Sequence, residues 1–220
     1  MNTIECIRGR KSIRKFKPDP VPQELLRELI DIAKWSPSYK DSQPWEVAIL
    51  SGAKKQALSE MLTGMLEREA PTTPDLPTPT GWPPVQKARI KQLIEARQQL
   101  TGIDLNAPDN VRKSKLANFR FYGAPHAIYL LQETELTEWS LFDLGLFAQS
   151  LMLAAHAKGL GTVPQAFATD YAREIKQFLS ISEHKRLVLG ISIGYPDWDS
   201  PVNQARTGRA PTEEFVTWME

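Results

Sequence analysis

The chain has 220 residues and a mass of 24.8 kDa, with 41% hydrophobic and 24% charged side chains, a balance that suits one globular domain with its own core. Its 27 basic and 26 acidic residues leave a formal net charge of +1, too little for a field that would hold the whole molecule on nucleic acid or an anionic membrane. The single cysteine, Cys6, excludes an internal disulfide and any multi-cysteine metal site, and it fits a reducing compartment, so a cytoplasmic location is expected.

In chain order, a basic stretch comes first. RGRKSIRKFK, from Arg8 to Lys17, holds six Lys or Arg residues and no acid. VPQELLRELIDIAKWSPS follows, where Leu25, Leu26, Leu29, Ile30 and Ala33 share one face at three- and four-residue spacing, with Pro22 suited to a first turn and Pro37 stopping the helix. WEVAIL, Trp45 to Leu50, reads as a short strand, and AKKQALSEMLTGML reads as a second helix. PTTPDLPTPTGWPP, Pro71 to Pro84, has six prolines and four threonines and forbids a regular helix. It is too short for a core of its own. The segment of about 67–117 is therefore a solvated excursion or, with Trp82 at its tip, a lid over a site.

Beyond Ala124, HAIYLLQ is a strand candidate, and Leu141 to Lys158 carries a wide apolar stripe that ends at Gly159. A short extended piece at Gly161 to Gln165, a helix near Tyr171 to Leu179 and the apolar strand LVLGISIG complete the domain. The order mixes helix and strand without strict βαβ alternation, which predicts an α+β fold. The remaining residues, about 195–220, end in EEFVTWME and form either an arm for another subunit or a tail that folds back.

The opening MNTIECIRGR has no apolar signal core, no window approaches the length of a membrane span, and His126, His156 and His184 are too scattered for zinc. Neither a G-x-S-x-G elbow nor a Walker A sequence is present, and the glycines of KGLGT read as a helix stop and a tight turn. With no side-chain reaction centre, a bound cofactor would have to supply the chemistry. In R-x-K-S-x-R, residues Arg10, Ser12 and Arg14 would share one side of an extended chain and present two guanidinium forks and a hydroxyl to one anion. A solvated basic face is the alternative for such a run.

RGRKSIRKF, then SPSYKDSQPWEVAIL, YGAPHAIYLL, KGLGT with VPQAF, and GYPDWDSPVNQARTGRAP occur in that order. Together they resemble the FMN-dependent nitroreductase family, whose pattern runs R-R-S-x-R-x-F and then A-P-S-x-x-N-x-Q-P-W. The likeness spans nearly the whole chain apart from about Leu62 to Lys115, and is nearest to the branch containing nitrobenzoate reductases. It implies a central mixed or antiparallel sheet flanked by helices, in an intertwined homodimer with FMN at the interface.

By that resemblance, Arg10, Ser12 and Arg209 hold the FMN phosphate with help from Lys11 and Arg206, while Arg14 reaches the pyrimidine edge near N1 and O2, favouring the reduced flavin. Pro37, Ser38, Tyr39, Asp41 and Gln43 approach the cofactor from the partner subunit. Pro164, Gln165 and Ala166 pass its N5 edge. Asp41 replaces the family Asn; an ionised carboxylate accepts but does not donate, so it reproduces only half of an amide contact. Arg120 stands where some members place another flavin-edge cation, or is a surface helix residue. The implied activity is ping-pong transfer of hydride from NADH or NADPH through flavin N5 to nitroaromatic or quinone-like acceptors. Reductive dehalogenation on the same scaffold, or a non-catalytic FMN carrier or sensor, are the alternatives.

Overall fold

The computed structural model describes residues 1–219. Twelve helices and strands follow one another: α1 (Thr3–Gly9), α2 (Gln23–Ala33), β1 (Glu46–Ser51), α3 (Gly52–Glu67), α4 (Pro84–Thr101), α5 (Pro108–Phe119), β2 (His126–Glu133), α6 (Glu138–Ala157), β3 (Gly161–Gln165), α7 (Ala172–Leu179), β4 (Lys185–Gly194) and α8 (Pro201–Gln204). The four strands form one sheet in the order β1-β2-β4-β3, and every pairing is antiparallel. The α+β expectation holds, with the sheet wholly antiparallel.

Helices cover both faces of the sheet. On one, Leu26 and Leu29 of α2 and Leu144, Phe147 and Leu151 of α6 pack over Ile128, Leu130, Ile191 and Ile193. On the other, Leu58 and Leu62 of α3, Phe119 of α5 and Ile175 of α7 pack over Ala127, Tyr129, Leu131 and Leu187. Coverage on two sides explains why HAIYLLQ and LVLGISIG lack the alternation of a half-exposed strand. Gln132 breaks the rule: it is fully buried, and neither its Nε2 nor its Oε1 has a partner. Leaving both groups dry is costly, so Gln132→Leu should raise stability by about 1–2 kcal/mol, read from urea denaturation.

The excursion divides in two. Its start is stapled down: Thr73 donates through its backbone N to Asp170 O (2.7 Å) and through Oγ1 to Glu174 (2.6 Å), and Asp75 pairs with the buried Lys176 of α7 (3.1 Å). Asp75 also accepts the backbone N–H of Leu187 in β4 at 2.7 Å. The later part, α4, buries none of its residues and lies against α8 and the C-terminal segment, where Arg89 meets Glu214 at 2.8 Å. Trp82 is exposed between the two. Among the described residues no helix is long and apolar enough to cross a membrane, and no cluster of potential metal ligands occurs.

His126, at the start of β2, accepts the backbone N–H of Val21 on Nε2 at 2.9 Å, so its neutral ring carries the proton on Nδ1 and donates it to Ser51. That tautomer cannot serve as a base toward Ser51, in line with the absence of a serine elbow. Burial first, and Lys55 second, hold the imidazole below its ordinary value. A depressed folded value means that its stabilising effect is complete above the unfolded value of about 6.5 and is lost as pH falls below it. The melting temperature should therefore drop between pH 7 and pH 5, and His126→Gln should flatten that slope.

Candidate functional site

Helix α1 ends at Arg10, where the backbone turns extended (φ −58°, ψ 132°). The chain then runs beside β3: Ser12 forms a parallel bridge with Thr162, and Ile13 N donates to Thr162 O at 3.0 Å. Alternation in this stretch sends Ile13 into a small core and leaves Ser12 and Arg14 on the other side; Phe16, out of step with Ile13, joins that core where the chain bridges Pro196. The close approach needs Gly161, because a Cβ there would stand 2.7 Å from Ile13 Cγ1. Gly159, with φ 79°, is the expected helix stop; Gly161 begins β3 and serves that close approach, in place of the expected tight turn.

Asn203 of α8 joins the C-terminal segment to this strand. Fully buried, it accepts Arg14 N on Oδ1 (2.7 Å), and its Nδ2 donates to Lys15 O and Asp197 O, both at 2.7 Å. The segment beyond it thereby brings Arg206 and Arg209 alongside Arg10, although some two hundred residues separate them in sequence.

The result is a cavity of about 680 Å³ whose walls include Arg8, Arg10, Lys11, Ser12 and Arg14 on one side and Arg206 and Arg209 on another. Arg97 of α4 completes it, so seven cationic side chains surround the space and no carboxylate lines it. Burial, then the neighbouring Arg209, lower the Arg10 pKa; burial, then Arg206, lower that of Lys11. Nη1 of Arg10 is buried without any acceptor. So many like charges without a carboxylate are a poor arrangement for a protein alone and a good one around a phosphate, which supplies acceptors and neutralises the repulsion. The residues present therefore fit the phosphate of FMN. Arg206 and Arg209 are meanwhile tethered locally, to Arg8 O at 2.9 Å and to Thr207 Oγ1 at 2.9 Å. Lys11 lies over Trp198 at 5.0 Å.

Other predicted residues stand elsewhere on the same protomer. Pro37, Ser38, Tyr39, Asp41 and Gln43 do not line the cavity of their own chain. They form a tight loop on α6, with Tyr39 N donating to the buried Asp143 at 3.0 Å and Tyr39 stacked on Trp139. Lys40, Asp41 and Gln43 all have positive φ, a costly run for residues other than glycine, and Asp41 Oδ1 accepts from Gln43 Nε2 at 3.2 Å. At the end of β3, Pro164 and the following Ala166 are exposed, but Gln165 is buried. Its side chain donates to Asn118 O (2.9 Å) and accepts from Ser192, so only its backbone is left for a ligand. Arg120 caps α5 at an exposed position and does not line the cavity.

Arg8, Arg97 and Asn203 are residues of the site that sequence reasoning did not assign to it, Arg8 reading only as part of the basic stretch. Arg97 lies in the weakly matching excursion; Asn203 sits inside a quoted block but carries no charge to draw notice.

An acid-free basic cavity on a two-sided antiparallel α+β fold suits an anionic ligand, and comparison with known proteins narrows the class. Residues 7–195 match the model of the Nitroreductase family, and the chain belongs to that family. It is 33% identical over 215 residues to a 4-nitrobenzoate reductase of Pseudomonas putida, covering 97% of this chain and 93% of that protein. To the nitroreductase NfnB of Mycolicibacterium smegmatis it is 34% identical over 209 residues, covering 94% and 88%. The crystal structure of the FMN-dependent NfnB from Mycobacterium smegmatis in complex with NADPH superimposes with a TM-score of 0.93 over 99% of this chain and 97% of that one, at 33% identity.

Proposed function

We propose that this chain is an FMN-dependent NAD(P)H oxidoreductase that reduces nitroaromatic or quinone-like acceptors. The observation that carries the reading is the acid-free basic cavity, in a chain whose relatives are nitroreductases. When bound, FMN supplies two-electron chemistry, taking hydride from NADH or NADPH and giving it to the acceptor. The protein's part is to bind and tune. Arg10, Ser12 and Arg209, helped by Lys11 and Arg206, hold the phosphate; Arg14 keeps positive charge at the pyrimidine edge; Pro164, Ala166 and the Gln165 backbone border the ring.

In this reading Pro37, Ser38, Tyr39, Asp41 and Gln43 complete the site of a partner subunit. Tyr39 stacks on Trp139, both exposed, and Trp35 and Phe142, on the elements that flank the loop, are also exposed, apolar surface that suits a partner. Phe215 and Trp218 of the C-terminal arm are exposed as well and suit the same homodimer. A narrower lid than the whole 67–117 segment follows from the stapling of Thr73 and Asp75: α4 and its flanks are the part left to open. The location assigned to the protein is cytoplasmic.

The experiment is anaerobic mixing of the flavin-loaded protein with NADPH or NADH, followed by an acceptor. Bleaching of the flavin, then its recovery on adding a nitroaromatic, is the expected result. A flavin that stays oxidised with both donors would favour the carrier or sensor reading.

A further inference from the structure

We infer that Arg97, facing Arg14 across the cavity, forms a second anion subsite that selects acceptors bearing a carboxylate, such as nitroaromatic acids; this rests on the nitroreductase reading above. The cations of the cavity exceed what FMN requires. A phosphomonoester carries about two negative charges near neutral pH, and Arg10 with Arg209, backed by Lys11 and Arg206, already answers it. Arg14 and Arg97 come from opposite walls, one from the strand beside β3 and one from α4.

Arg97 is half-buried, yet α4 buries no residue, so core packing does not account for where its side chain goes. Nor is it neutralised. The acids close to it on α4 and the C-terminal segment are taken: Glu95 lies 3.7 Å from Lys91, and Glu214 lies 2.8 Å from Arg89. Among the described residues Arg97 enters no ion pair, and the Arg14 side chain bonds only to Ser12 O, through Nη1 at 3.1 Å. Burial, followed by Arg14, makes the Arg97 charge harder to hold, while Tyr122 offsets part of that. The oxidised ring is uncharged and relieves neither cation; the reduced ring, anionic at N1, answers Arg14 in the reading above and still leaves Arg97 for a second anion.

Two ligands that follow FMN into the pocket carry anions. The dinucleotide carries a pyrophosphate, common to NADH and NADPH, and in NADPH an adenosine 2′-phosphate at its far end; an Arg97 contact with the first would lower kcat/KM for both donors alike, and one with the second would lower the NADPH-to-NADH ratio. An aromatic carboxylate lies one ring-width from the group being reduced, and a guanidinium inside the cavity matches it in a planar, two-pronged contact.

The test uses flavin-loaded wild type, Arg97→Gln and Arg97→Lys, with FMN content measured by absorbance and folding by circular dichroism. Steady-state kcat/KM is compared for 4-nitrobenzoate and its uncharged methyl ester, and for NADPH and NADH with the ester. The acid-to-ester ratio should fall about tenfold or more in Arg97→Gln, mainly through KM, and be only partly restored in Arg97→Lys, which keeps the charge but not the two-pronged contact, with both donors' kcat/KM unmoved. An unchanged acid-to-ester ratio in a fully loaded Arg97→Gln would overturn the subsite alone. Loss of NADPH preference in place of acid preference would overturn it too, by assigning Arg97 to the dinucleotide. A wild type that turns over neither acceptor would overturn the nitroreductase reading itself.

Discussion

Arg10→Ala and Arg209→Ala should each yield a folded protein that binds FMN roughly ten- to a hundredfold more weakly, since each removes a charge-assisted contact of about 1.5–3 kcal/mol. Both side chains line the same cavity, and the Arg209 charge makes that of Arg10 harder to keep. The apoprotein should respond in the opposite direction. Removing either guanidinium relieves the repulsion between them, and Arg10→Ala also removes the buried Nη1 that has no acceptor. Its melting temperature without flavin should therefore match or exceed that of wild type, a pattern expected where function is held at the expense of stability. Fluorescence titration with FMN and a thermal scan of the flavin-free proteins separate these two effects. Unchanged FMN affinity in both variants would remove the phosphate assignment.

A second large effect is expected far from the cavity. Asp75→Ala leaves the ammonium of Lys176, almost completely buried, without its closest carboxylate, and strips the Leu187 N–H of its acceptor. Breaking a buried ion pair by removing one partner costs on the order of 3–5 kcal/mol; Asp75 is itself partly exposed, so about 3 kcal/mol is expected here. Lys185 O and the more distant Glu183 remain for Lys176 and limit the loss. Asp75→Asn, which keeps an acceptor for Leu187, should fall between the two. Adding Lys176→Met to Asp75→Ala should recover stability, because the uncompensated charge goes with it. Urea denaturation reads all three, and a loss under 0.5 kcal/mol in Asp75→Ala, on the order of a neutral surface substitution, would show that the staple is unimportant.

The same staple shows where the sequence stops being legible. PTTPDLP reads as loop from its prolines, and it is loop; yet Thr73 and Asp75 fasten it to α7 and β4 through contacts about a hundred residues distant in the chain. Local composition carries no trace of such pairings. Elements with strong periodicity or continuous apolar runs were readable because burial on the sheet dictates them: α2 through its one-sided leucines, β2 and β4 through coverage on both faces. Helix α4 has no comparable stripe, since nothing in it is buried, and its cavity-lining Arg97 looked like one charge among many.

The basic cavity was half legible. Alternation in the opening stretch grouped Arg10, Ser12 and Arg14, and the burial of Ile13 between them supports that geometry. Bringing in Arg206 and Arg209 required the family pattern, because the physical link is Asn203, whose three hydrogen bonds tie distant segments without any signature in spacing. The loop of Pro37 to Gln43 shows a different limit. In the proposed homodimer its place in a site depends on a second chain, and a single chain records only its unusual backbone and exposed aromatic neighbours.

The most direct measurement is the visible spectrum of the purified protein, with mass identification of the released chromophore. A yellow protein that releases about one FMN per chain is the predicted result, in keeping with a cavity built for a single phosphate. A colourless protein that takes up no added FMN would contradict the central claim.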